Sequence, residues 1–261
     1  MFDLRNVLVA TLLSVAATAA SAATYTFDLQ STSNGGDTAQ SGGNSFDDLI
    51  IDQGDLTGVF TGFYIDGATY TGGTPDVGDT LDAGSVLDAN NIYRWLNGVG
   101  VCNAGPCTDD SDPFHTVDGA SNDGDRTDFV QMSFFMGTDL VEVELLSLTF
   151  GWVGPYGRDP FEGTDGAFEI LLDTAGLDDA IGLNDELVYI GAAQNGYSDT
   201  ISLDDFDLID SIFGVKAGEG GSWKLKTVVV DYTERLPEVP LPAAIWLLLG
   251  GVSGLFALRR R

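Results

Sequence analysis

The chain has 261 residues, 44% hydrophobic and 10% aromatic, which is enough apolar material for one large folded body. Its formal net charge is −29, and residues 24–235 alone hold seven basic against 38 acidic side chains, a net charge of −31. A field of that sign repels phosphate backbones and anionic lipid headgroups, which excludes nucleic acid as a partner, while it draws cations and favours solubility. Two uses of the charge stand open. One is adaptation to a salty medium, where self-repulsion is screened within about 10 Å; the other is the holding of calcium by some of the carboxylates.

Residues 1–22 follow the grammar of a secretory signal peptide. Arg5 and the terminal amine give a positive start, Val7–Ala17 is apolar, and Ala20-Ser21-Ala22 is a small-residue site for signal peptidase. The apolar stretch is shorter than the roughly 20 residues of a membrane-spanning helix. The expected mature chain therefore starts at Ala23, with an uncleaved signal anchor as the alternative. Tyr25, Phe27 and Leu29 then alternate with polar residues, residues 31–45 read as an exposed loop, and Val59, Thr61, Phe63 and Ile65 alternate again. That period of two is the signature of strands.

Cys102 and Cys107 are the only cysteines, separated by Asn-Ala-Gly-Pro. In an oxidising compartment the pair reads as a local disulfide worth about 2 kcal/mol. It is neither the C-x-x-C redox spacing nor half of a complete zinc site. Beyond it come an acidic run, then His115-Thr116-Val117-Asp118-Gly119, and Asp128 opening the strand Phe129–Phe135. This stretch resembles a segment of some exosortase-dependent surface proteins. In that pattern a Gly-x-Gly-Val turn precedes His-x-x-Asp-Asn, and an Asp leads into a hydrophobic strand. His115, Asp118 and Asp128 match; Gly119 stands where the pattern has Asn. The resemblance implies no activity.

Asp118, Asn122, Asp123, Asp125 and Asp128 crowd one loop. Calcium takes six to eight oxygens at about 2.3–2.6 Å, and such a loop has the right ligand chemistry. The spacing is not that of an EF-hand, and Asp and Asn also populate turns for backbone reasons alone. His115 is the sole histidine, and neither a Gly-x-Ser-x-Gly elbow nor His-Glu-x-x-His accompanies it, so no catalytic residue is assigned.

Further strands follow. Val130, Met132, Phe134 and Met136 share one face. Val141, Val143 and Leu145 alternate, and the phase then flips to Leu146, Leu148, Phe150 and Trp152, which predicts a bulge or a bend from one sheet to the other. Phe168, Ile170 and Leu172 alternate, Leu187–Ala193 reads as a buried run, Asp204–Phe213 reads as one short helix, and Trp223, Leu225 and Thr227 alternate with lysines. The expected fold class is all-β: a β-sandwich of jelly-roll-like topology over residues 23–235.

The tail, residues 236–261, opens with Leu236-Pro237-Glu238-Val239-Pro240-Leu241-Pro242-Ala243, whose prolines hold an extended backbone. Leu241–Leu258 is 18 residues without a charge, followed by Arg259, Arg260 and Arg261. As a helix it covers about 27 Å, nearly the hydrocarbon thickness. The arginines keep its end cytoplasmic, so residues 23–235 lie outside the inner membrane. The extended motif Val239, Pro240, Leu241, Pro242 and Ala243, the apolar span and the arginine cluster resemble the PEP-CTERM sorting signal read by exosortases of Gram-negative bacteria. That resemblance implies an inner-membrane intermediate, cleavage by an exosortase, and a final place at the cell surface or outside it among exopolysaccharide. A plain single-pass anchor is the alternative.

The function expected is that of an exported surface or matrix protein in a non-enzymatic structural or interaction role. One alternative is a carbohydrate-binding module, with Tyr93 and Trp95 beside Arg94, and Trp152 near Tyr156, as its aromatics. Another is a secreted glycoside hydrolase, which needs only two carboxylates.

Overall fold

The alternating apolar runs fold as strands, and a computed structural model describes residues 22–30, 45–46, 48–66, 70, 75–81, 86–95, 97–102, 116–119, 126–154, 166–173, 185–194, 196 and 198–233. In chain order the first strands are β1 (Ala22–Asp28), β2 (Ser45–Phe46), β3 (Asp48–Gln53), β4 (Leu56–Asp66), β5 (Val86–Trp95), β6 (Gly98–Cys102), β7 (Val117–Asp118) and β8 (Arg126–Met136). The second half supplies β9 (Asp139–Leu140), β10 (Val143–Val153), β11 (Ala167–Leu172), β12 (Glu186–Ala192), β13 (Asp199–Ser202), β14 (Ile209–Asp210), β15 (Ile212–Ala217) and β16 (Ser222–Thr233).

Two antiparallel sheets result. One runs β12-β11-β15-β8-β4 and on to β5, with β3 also beside β4; the other runs from β5 through β6-β16-β10-β13. β5 belongs to both. Its residues Val86–Asp88, Ala89 and Asn90 pair with β4, and Asn91–Trp95 pair with β6. One strand thus turns the corner between the sheets, so the ladder is continuous although the body has two faces. Residues Ala23–Tyr232 form one compact unit.

The core lies where the inner faces meet. Phe150 of β10 touches Phe168 of β11 at 4.7 Å between ring centroids, and Phe27 of β1 touches Phe60 of β4 at 5.9 Å and Phe134 of β8 at 5.5 Å. These rings are fully buried. Each buried Phe contributes about 1.5–3 kcal/mol through burial, and each aromatic pair about 0.5–1.5 kcal/mol more. Gly58 makes room for them: a Cβ there would lie 2.8 Å from the Phe27 ring. As the sequence pattern predicts, Val130, Met132 and Phe134 point into this core, with Met136 packed at its margin.

The phase flip in β10 is a bulge. Leu145 faces Val230 while Ser147 faces Val229, which leaves Leu146 as the extra residue and moves the inward positions to Leu148 and Phe150. Two further shifts, between Thr149 and Phe150 and between Phe150 and Trp152, are not expected from the pattern; past them Trp152 is only half-buried while Val153 enters the core.

Two expectations change, and the alternation in β4 serves two clusters. Asp204–Phe213 is not a helix but a turn followed by β14 and the start of β15. Asp207 adopts a φ of 50°, outside helical space, and the Asp204 carboxylate accepts from the Ser202 hydroxyl. Leu187–Ala193 is not a buried run, because β12 ends its sheet and Ile190 is 44% exposed. The face Val59, Thr61, Phe63, Ile65 of β4 points away from the main core, which receives Leu56 and Phe60 instead; Phe63 and Ile65 pack in a second cluster with Tyr70, Leu81, Phe129, Leu171, Leu187 and Ile212.

That second cluster lies on the outer side of the β12–β4 sheet, under a strap running through Tyr70 and residues 75–81. The strap is fastened to the edge strand by backbone bonds: Gly78 N–H donates to Leu187 O, Leu187 N–H to Asp79 O, and Leu81 N–H to Asp185 O.

Candidate functional site

Asp118 and Asp128 come together although ten residues separate them. β7 hydrogen-bonds to the start of β16, with Asp118 opposite Ser222, and Asp128 sits near the start of β8 opposite Tyr64. The Asp118 N–H donates to Asp128 Oδ2 at 3.3 Å, and the Thr116 hydroxyl donates to Asp118 Oδ2 at 2.7 Å. The Ser222 hydroxyl lies 3.4 Å from that of Thr116. Asp118 is 2% exposed and Asp128 fully buried, so these carboxylates belong to a buried polar network and not to a solvated turn.

His115, Asn122, Asp123 and Asp125 lie outside the described residues. Among the described residues no group of three or more His, Cys, Asp or Glu side chains is placed to hold a metal.

Gly119, the departure from the segment's pattern, has a steric cause. Its N–H donates to Gly221 O at 2.7 Å, and a Cβ at Gly119 would lie 2.0 Å from Gly218 O. Asparagine has no room here.

The aromatic handle is also revised. Tyr93 is 2% exposed, and Arg94 donates to the backbone oxygens of Leu29 (3.3 Å) and Asp28 (3.2 Å), so Tyr93 is a core residue. The Trp95 side chain and Tyr156 lie outside the described residues, as do Cys107, the signal peptide and the whole tail: Val239, Pro240, Leu241, Pro242, Ala243, Leu241–Leu258 and Arg259, Arg260 and Arg261. Cys102 ends β6. Among the described residues no helix is long and apolar enough to cross a membrane.

A second buried polar cluster escaped the sequence reading. Lys216 on β15 stands directly opposite Glu169 on β11, with Nζ 2.8 Å from Glu169 Oε2 and both side chains about 95% buried. The strap brings Tyr70, whose hydroxyl donates to the same Oε2, and Lys216 Nζ lies 5.4 Å from the centre of the Tyr70 ring. Burial above all, then the charge and hydrogen bond of Glu169 and the charge of Asp79, push the Tyr70 phenol far above its usual range; it is a neutral donor. One signal existed in the sequence: the chain has three lysines, and Lys216 sits between apolar residues.

Tyr70→Phe removes that donor while keeping the ring. A loss of about 1–3 kcal/mol is expected, measured as a lower urea midpoint at unchanged slope. An unchanged midpoint would mean that the hydroxyl contributes nothing to the fold.

The chain matches no family model, no curated protein and no solved structure.

Proposed function

We propose that the chain is an exported bacterial surface or matrix protein, delivered by signal peptidase and an exosortase, whose jelly-roll-like body has a structural or interaction role and no catalytic one. The tail carries this reading: a Val-Pro-Leu-Pro-Ala motif at 239–243, an uncharged span to Leu258, then three arginines. The extent of the folded body is in keeping with it. The compact unit begins at Ala23, where the small-residue cleavage site ends, and stops at Tyr232, shortly before the prolines.

The strongly acidic surface suits an extracellular medium, where it maintains solubility and turns away anionic polymers. The partners in this reading are the two processing enzymes and, at the surface, exopolysaccharide; the inner membrane holds the intermediate.

The export step has its own test. N-terminal sequencing of surface or secreted material is expected to begin at Ala23 or within two residues of it. Material beginning at Met1 overturns export by a cleaved signal.

A further inference from the structure

We propose that Lys216 and Glu169 condense into an amide, a covalent cross-link between β15 and β11 beneath the Tyr70 strap. The two residues are cross-strand partners, with Nζ and Oε2 2.8 Å apart and both side chains about 95% buried. A nitrogen that close to a carboxylate oxygen lies within roughly 3–3.5 Å of the carboxyl carbon, the separation of a near-attack geometry. Nζ is further oriented by donating to Ala217 O at 3.1 Å. As a mere ion pair the arrangement yields little stability, because both charges give up their hydration. Tyr70 has a second role in this reaction: its hydroxyl is aimed at the oxygen on which negative charge would develop.

The reaction balances without a co-reactant. A proton passes from the Lys216 ammonium to the Glu169 carboxylate, leaving an amine and a carboxylic acid. The nitrogen lone pair attacks Cδ, and the hydroxyl of Tyr70 donates to the oxygen that gains charge. The other C–O bond then breaks, the nitrogen loses a second proton, and one water leaves. One C–N bond has formed and one C–O bond has broken, with no change of oxidation state. The surrounding apolar residues Phe129, Leu171 and Ile212 keep bulk water from the acyl carbon.

The test is tryptic mass spectrometry of the purified full chain after denaturation. Between Arg158 and Lys216 the sequence has no Lys or Arg, and the next is Lys224. An acylated Lys216 is not cut by trypsin, so the expected product is residues 159–224 as one piece, lighter than its sequence by one water. Lys216→Arg is expected to restore cutting after position 216 and the full mass. Tyr70→Phe is expected to slow cross-link formation in freshly folded protein by about 10²-fold, the scale for losing one donor to a developing oxyanion. Separate full-mass peptides 159–216 and 217–224 from aged, folded wild-type protein overturn the proposal, and that result needs no variant to fold.

Discussion

Gly119→Asn is expected to prevent the protein from folding, although it restores the residue of the pattern that this segment resembles. The added Cβ would lie 2.0 Å from Gly218 O and 3.1 Å from Gly220 N, and both obstacles are backbone. No rotamer relieves such a contact. Either the β7–β16 pairing at Asp118 and Ser222 opens, or the Gly218–Gly221 turn shifts and pulls Trp223 with it. Trp223 is fully buried and donates from Nε1 to Ala167 O at 3.1 Å, so its displacement also disturbs the packing of β16 on β11.

A cost above about 4 kcal/mol follows, a large share of the roughly 5–15 kcal/mol that holds an ordinary native protein together. The control is Gly137→Asn, at the tip of the β8–β9 turn, where φ is 64° and nothing lies within 4 Å of a Cβ. Asparagine tolerates that conformation, and a cost of about 1 kcal/mol is expected. Soluble yield and thermal unfolding of the two variants decide the matter. Equal stability would mean that the Gly119 backbone has slack that its contacts do not suggest.

The second large effect is expected in the tail. Replacing Val239-Pro240-Leu241-Pro242 with a polar linker leaves Ala243–Leu258 and Arg259, Arg260 and Arg261 in place, so insertion and orientation persist. In a host that carries an exosortase, processing is expected to stop and full-length protein to accumulate in the inner membrane. A mere anchor predicts no change of location or of mass beyond that of the linker. Deleting the whole apolar span does not discriminate, because soluble protein results under either reading. Equal processing of wild type and linker variant, seen as equal mobility on a gel, ends the sorting-signal reading.

The features legible in the sequence were those written in neighbouring residues. A side-chain period of two is a local property, so the strands around Phe27, Met132 and Phe168 were visible, and so was the bulge at Leu146, where the phase of one strand inverts. The proposed processing signals would be local for a related reason: peptidases and the translocon read short linear peptides.

Burial depends on what packs from far away, and there the sequence ran out. Leu187–Ala193 has the composition of a central strand, yet among the described residues only the strap, at residues 78–81, bonds to the outer edge of β12. Tyr93 has the composition of a sugar-binding aromatic, and the fold leaves it only 2% exposed. Four acidic residues in Asp204–Phe213 suit a helix surface as well as a turn; the pairing of β14 with β10 and of β15 with β8 and β11 decides for the turn. The Lys216–Glu169–Tyr70 cluster is the extreme case. Tyr70 and Glu169 are 99 residues apart, and each looks like a solvent-facing position of its own segment. They meet because the strap crosses the outer face of the sheet, a placement set by the sum of many weak apolar contacts that no single stretch of sequence contains.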